Sequence, residues 1–280
     1  MIVNIIKARQ SFSEMAELDD EAFPLDRAAL TLALEEYPDL DLPRYLRHLD
    51  TLAARVGVLA GTDRTPAGII ESINQVLYVQ EGLRGNSEDY FNPLNYYLNE
   101  VLDRKLGIPV TLSVIYMEVA KRINFPLEGV GFPEHFLVKH VAGGREIIID
   151  AFNLGRILTL HDCQELLDKT YHDTVSMNPS LLQPMKNRAI ITRILYNLKG
   201  IYEENEQHHE ALSVIERILL LNPGTPSEVR DRGLLYMQTS LFSRALSDLE
   251  FYLAHTEAPK DHSSIQAHIK TLRGIVCAPN

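Results

Sequence analysis

The sequence predicts an α+β domain, rich in helix with a small antiparallel sheet, followed by an all-α tail built on a short repeat. Three observations carry this. Helical periodicity fills the chain up to about Arg122, after which two β-prone runs, Phe136-Leu137-Val138 and Ile147-Ile148-Ile149, flank Ala142-Gly143-Gly144 as a hairpin. Helices first and strands after give α+β rather than alternating α/β. A 34-residue period then sets in along the tail. The charge divides with it: from Leu182 onward 11 Lys and Arg balance 11 Asp and Glu, so the net −11 lies wholly in residues 1–181. Two domains are expected, 1–180 and 181–280, with Asn178-Pro179-Ser180 at the join.

Taken in order, Asp26 is the expected N-cap for a helix over Arg27–Tyr37 that Pro38 closes. Leu42, Leu46, Leu49, Ala53 and Val56 recur at helical spacing. Thr65-Pro66 and Asn92-Pro93 each place a capping side chain before a proline suited to the first helical position. They launch helices whose buried faces are Ile69, Ile70, Ile73, Val76, Leu77 and Leu94, Tyr97, Leu98, Val101, Leu102. Gly107-Ile108-Pro109 starts a helix to about Arg122. Its Val110, Leu112, Val114, Ile115, Val119 and Ile123 cover most of its circumference, so it should be buried on most sides. Thr159 is the expected cap of a helix through Leu167.

The hairpin carries the chemistry. Folded about Ala142-Gly143, it sets opposite one another residues whose numbers total 285, and His135 then faces Asp150 with Cβ atoms about 5 Å apart. Centring the turn on Gly143-Gly144 would instead place Phe152 opposite His135. A carboxylate beside an imidazole is the orienting half of a nucleophilic triad, because it fixes the tautomer and steadies the imidazolium.

In the tail, Tyr202 recurs as Tyr236, Glu210-Ala211-Leu212-Ser213 as Arg244-Ala245-Leu246-Ser247, and Ile215 and Ile218 as Leu249 and Tyr252. The period, the Tyr with a small residue nine positions later, and Pro223 after the second helix are similar to the tetratricopeptide pattern. Two copies are expected, about 192–225 and 226–259, with Ser264–Gly274 as a cap helix. Gly233 fills the close-packing position of the second copy, and Lys199 occupies it in the first.

Composition narrows the function. The acidic front half and neutral tail carry no electrostatic footprint for nucleic acid. No apolar run approaches the ~18 residues of a membrane helix. The start lacks the charged and apolar regions of a signal peptide. Two cysteines, Cys163 and Cys277, are too few for a disulfide framework, and a reducing cytoplasm is expected.

The run Asn92-Pro93-Leu94-Asn95, Leu98-Asn99-Glu100-Val101-Leu102, Gly107-Ile108-Pro109-Val110-Thr111-Leu112-Ser113, Gly129-Val130-Gly131-Phe132-Pro133 and His135-Phe136-Leu137-Val138 closely resembles the bacterial SirB-type proteins. That family joins a transglutaminase-like (papain-like) domain to tetratricopeptide repeats. The resemblance implies a cysteine at the start of the buried core helix, a histidine on the next strand and an aspartate on the one after. His135 and Asp150 match the last two members. The helix start, near Pro109, has no cysteine, and Thr111 and Ser113 are the hydroxyls available there. A thiolate gains from a helix N-terminus, whereas a serine needs its base bonded directly to it. Glu134 also departs from the family's usual glycine, setting a negative charge beside any oxyanion.

The expectation is therefore a non-catalytic interaction or regulatory protein, with His135 and Asp150 as a relic pair and the tetratricopeptide groove receiving a protein partner. The alternative is an amidase, peptidase or acyltransferase using Ser113, or Cys163, with His135 and Asp150. Cys163 lies about four residues into the helix capped by Thr159, and the half-buried small hydrophobe is its simpler role. His161, Asp162, His172 and Asp173 lack metal-motif spacing, and no phosphate loop or dinucleotide fingerprint is present, so neither metal nor cofactor is expected. Asn86, Asn92, Asn95 and Asn99 suit either a cleft lining or turn and cap chemistry.

Overall fold

Four helices lead the chain, α1 (Ile2–Ala16), α2 (Leu25–Leu32), α3 (Leu42–Ala60) and α4 (Pro66–Asn74), in a computed structural model that describes residues 2–277. Asp41 caps α3 and Thr65 caps α4, each with a proline in the first turn. Asp26 is not a cap. Helix α2 begins one residue before it, and its carboxylate takes the Arg27 N–H and pairs with Arg122 instead. Helix α4 runs straight into a π-helical turn, Gln75–Gln80. The wider turn re-aims its side chains, and the Tyr78 hydroxyl donates to the Ala151 carbonyl at 2.7 Å.

Strands β1 (Arg84–Gly85) and β2 (Leu106–Gly107) pair in parallel around α5 (Leu98–Arg104). Helix α6 (Pro109–Arg122) is buried from Pro109 through Ala120, as its all-round apolar pattern requires. It packs on α2, α3 and α4 and on β3 (Glu128–Val130) and β4 (Leu137–Ala142). With β5 (Arg145–Asp150), β6 (Arg156–Leu158) and β7 (Pro184–Met185) these strands form an antiparallel five-stranded sheet in the order β6-β5-β4-β3-β7. Helix α7 (Leu160–Tyr171), capped by Thr159, brings Cys163 and Leu167 into a cluster with Val130, Leu137, Ile148 and Leu158.

The hairpin register is the one centred on Gly143-Gly144. Val138 faces Ile149 and Ala142 faces Arg145. A two-residue turn that follows strand twist needs positive φ at both central residues, and the two glycines supply it, with φ +57° and +76°. The pairing about Ala142-Gly143 is thereby corrected, and His135 lies ahead of β4 rather than within it.

The chain divides into two compact units between Ile194 and Leu195. That is later than the turn at Asn178-Pro179-Ser180, because residues 182–194 still build the first unit. Leu182 joins the cluster of Cys163, β7 pairs with β3, and Ile190 lies against Gly129.

The second unit is helical. Helix α8 (Asn187–Glu204) and α10 (Pro226–Gln238) end 34 residues apart, as do α9 (His208–Leu221) and α11 (Phe242–His255). Helix α12 (His262–Val276) buries Ile265, Ile269 and Leu272 against Tyr236, Ala245, Leu249 and Tyr252. A Cβ on Gly233 would stand 2.9 Å from a Leu249 methyl and 3.1 Å from Asp248 Cβ, so a larger residue would push α11 side chains aside. Lys199, at the equivalent position, is used differently. Its ammonium bonds Glu228 at 2.8 Å and Asp231 at 2.5 Å, and both Lys199 and Glu228 are buried. Removing one partner of a buried pair strands the other charge. Lys199→Ala should therefore cost about 3 kcal/mol in denaturant unfolding, and Lys199→Ala with Glu228→Gln clearly less than the sum of the two single changes.

Candidate functional site around His135

The site begins with a tight turn. The His135 N–H donates to the Phe132 carbonyl at 3.0 Å, and Glu134 between them takes φ +50°. That left-handed backbone favours glycine. Glu134→Gly should raise the melting temperature, by the equivalent of about 0.5–1 kcal/mol. Arg193 of α8 fastens the turn, its Nη2 donating to the carbonyls of Phe132 (3.3 Å) and His135 (2.8 Å).

The turn presents the imidazole to Asp150 at the end of β5. Nε2 of His135 lies 3.0 Å from Oδ2 of Asp150, with the side chains 13% and 2% exposed. The contact is an ion pair by distance, but the oxygen sits off the N–H axis of a well-formed hydrogen bond. The carboxylate is otherwise committed to its own loop. Oδ1 accepts the N–H groups of Phe152 (3.0 Å) and Asn153 (3.2 Å), and Oδ2 accepts the Asn153 side-chain amide at 2.7 Å. Burial pushes this carboxyl up, yet His135 and the Asn153 donors outweigh burial and hold it below the ordinary aspartate value.

The loop after Asp150 is held from the α4 side. Tyr78 bonds the Ala151 carbonyl, and Asn74 donates to the Gly155 carbonyl at 3.0 Å while accepting from the Tyr116 hydroxyl at 2.9 Å. The Phe152 ring stands edge-on to His135 at 5.9 Å and lies over Gly85, where a Cβ would come within 2.5 Å of it. Tyr90 packs edge-on to Phe152 at 6.4 Å and to Phe91 at 5.3 Å.

The structure thus brings His135 and Asp150 together, and among the described residues neither Ser113 nor Cys163 is hydrogen-bonded to the pair. Ser113 is wholly buried in α6, and its Oγ has no hydrogen-bond partner among the described residues, so none of them is a base bonded to it. Thr111 spends its hydroxyl on the Asn95 carbonyl and on the N–H that starts α6. Cys163 sits in the first turn of α7. It is fully buried in the sheet–α7 cluster, and burial, followed by the charges of Asp162 and Asp150, pushes its thiol up to about 11.

Three of the four asparagines serve the frame. Asn86 donates to the buried Asn95 at 3.0 Å, Asn95 holds the carbonyls of Asp89 and Tyr90, and Asn92 caps a short helical turn. His161 pairs with Glu165, Asp162 closes a capping box with Thr159, and His172 and Asp173 end α7 in the left-handed region. Sequence reasoning missed Asn153, Tyr78, Asn74 and Arg193. Only Asn153 had a local signal, an amide three positions after an aspartate, where it can fold back on the carboxylate.

Comparison with known proteins agrees with this layout. Residues 43–196 match the model of the transglutaminase-like superfamily, and residues 198–270 that of a tetratricopeptide repeat. A UPF0162 protein of Xylella fastidiosa is 35% identical over 271 residues, spanning 93% of this chain and 94% of that protein. One from Vibrio cholerae is 30% identical, spanning 85% and 86%. F-box only protein 21 of Mus musculus is 41% identical over 141 residues, 48% of this chain and 22% of that protein. Among solved structures, menin aligns with 96% of this chain and 74% of its own at 12% identity, with a TM-score of 0.38.

Proposed function

The chain belongs to the UPF0162 family, a transglutaminase-like domain followed by tetratricopeptide repeats, and we propose that it works in the cytoplasm as a non-catalytic interaction protein whose tail receives the partner. Stacked helical repeats are built to present extended surfaces to other proteins, so at the coarse level the chain is an interaction scaffold. The finer reading rests on one observation: among the described residues no hydroxyl or thiol is hydrogen-bonded to His135. An imidazole–carboxylate pair without a nucleophile in reach lacks the first step of acyl transfer. Asp150, bonded to its own loop, then acts as a staple. Both cysteines are free thiols, which agrees with a reducing compartment, and among the described residues no helix is long and apolar enough to cross a membrane.

The tail offers a concrete surface. A hollow of about 730 Å³ between α11 and α12 is lined by Leu253, Ala267 and Ile269 together with Glu250, Lys270 and Arg273. This mixture of apolar and charged groups suits a helix or peptide with an apolar face. The test is a pull-down with the intact chain, followed by titration of the recovered protein. Asp150→Asn and His135→Ala should bind it as the parent does, while Lys270→Glu with Arg273→Glu should weaken it about tenfold. Loss of the partner in His135→Ala with the tail variant unaffected would move the interface to the first unit and overturn the proposal.

A further inference from the structure

Arg193 does more than fasten a turn. Its guanidinium has five N–H bonds, and the two on Nη2 serve the Phe132 and His135 carbonyls. Nε and Nη1 donate to nothing among the described residues, and neither is sealed from solvent. Among the described residues no carboxylate stands within ion-pair distance of it, although the side chain is half-buried and stacks over the Phe136 ring at 5.7 Å. A partly desolvated guanidinium without a counter-charge is expensive to keep, and planar N–H groups of this kind are matched by a carboxylate. Tyr90 and Glu134 are the two titratable groups close enough to act on its charge. The Tyr90 hydroxyl has no partner among the described residues, nor does Nδ1 of His135, whose other ring nitrogen faces Asp150. Beside these groups runs a shelf of three rings, Phe152, Tyr90 and Phe91, the last 70% exposed.

We infer that the surface joining Arg193, Tyr90 and His135 is a binding site for a carboxylate attached to an apolar or aromatic group, such as the C-terminal residue of a peptide. Arg193 supplies the charge, Tyr90 a further hydrogen bond, and the ring shelf beside His135 receives the apolar part. This goes beyond the tail-borne interaction and does not depend on it, since every residue involved belongs to the first unit. Glu134, a negative charge on the same turn, opposes the ligand, so its removal should strengthen binding.

The probe is N-acetyl-L-phenylalanine, titrated into the full chain and followed by NMR. N-acetyl-L-phenylalaninamide serves as the uncharged control, and N-acetyl-L-glutamic acid α-amide as a side-chain carboxylate. The acid should saturate at concentrations at which the amide shows no binding. Arg193→Lys should weaken it about fivefold or more and Tyr90→Phe about threefold, while Glu134→Gln should tighten it. Tyr90→Phe removes a single hydroxyl, so it tests the site even where Arg193→Lys disturbs the turn. Binding by the glutamyl probe in place of the phenylalanine acid would show that the ring shelf takes no part and overturns the inference. Equal affinity for acid and amide, no saturation by any carboxylate, or tighter binding of inorganic phosphate than of the acid overturns the inference. None of these outcomes bears on the partner held by the tail.

Discussion

Asp150→Ala should lower the stability of the first unit by about 2–4 kcal/mol, because it strands several donors at once. The N–H groups of Phe152 and Asn153 and the Asn153 amide would lose their acceptor together, and His135 its carboxylate neighbour. Water can reach the exposed Asn153 and offsets part of that loss. Asp150→Asn keeps an oxygen for the two main-chain donors but sets an NH2 group where Oδ2 accepts from Asn153, so it should cost about 1–2 kcal/mol. The two variants should also differ from the parent in acid. A carboxyl held below its ordinary value in the folded chain stabilises fully above its unfolded pKa, and that stabilisation is lost as pH falls through the lower folded value. The parent should therefore lose stability below about pH 4 more steeply than Asp150→Asn, in urea titrations at fixed pH steps. Parallel acid profiles would mean that Asp150 carries no charge-dependent role.

The second large effect is expected at Gly155. Its φ of +71° is one that a side chain resists, and a Cβ there would lie 1.8 Å from Oδ1 of Asn74. Asn74 would have to leave, giving up its bond to the Gly155 carbonyl and uncovering the buried Tyr116 hydroxyl. Backbone strain and the broken network together place Gly155→Ala at about 3–5 kcal/mol. Gly143→Ala is the matched control. Its φ is also positive, +57°, but a Cβ there meets open space, so it should cost only about 1 kcal/mol. Equal losses at the two positions would show that backbone strain accounts for the effect and that the Asn74 link holds nothing.

What the sequence made legible was local or periodic. The existence of the hairpin, the Thr65 and Thr159 caps and the all-round apolar pattern of α6 each sit within a few residues of their consequence. The 34-residue recurrence of Tyr202 and Ala211 as Tyr236 and Ala245 announced the paired helices of the tail in the same way. The His135–Asp150 pair was found through a register that proved one position off, and the contact survives because the turn before β4 folds the imidazole back over the strand end. The supports of the site were not legible. Tyr78 reaches Ala151 across 73 residues, Asn74 reaches Gly155 across 81, and Arg193 reaches His135 across 58. Tyrosine, asparagine and arginine in helices carry no mark of such distant partners. The π-helical turn that aims Tyr78 had no signature either, since Gln75–Gln80 continues the apolar spacing of α4.

The central claim is that His135 and Asp150 have no nucleophile to serve. Its most direct measurement is adduct mapping by mass spectrometry on the native full-length chain, treated separately with iodoacetamide and with a fluorophosphonate across pH 6–8. The exposed Cys277 should take the alkylating reagent at the rate of an ordinary thiol, with Cys163 and Ser113 unmodified by either reagent. Rapid labelling of Cys163 near pH 6, or of Ser113 by the fluorophosphonate, abolished in His135→Ala, would contradict the account and make the pair the working half of a hydrolase or acyltransferase.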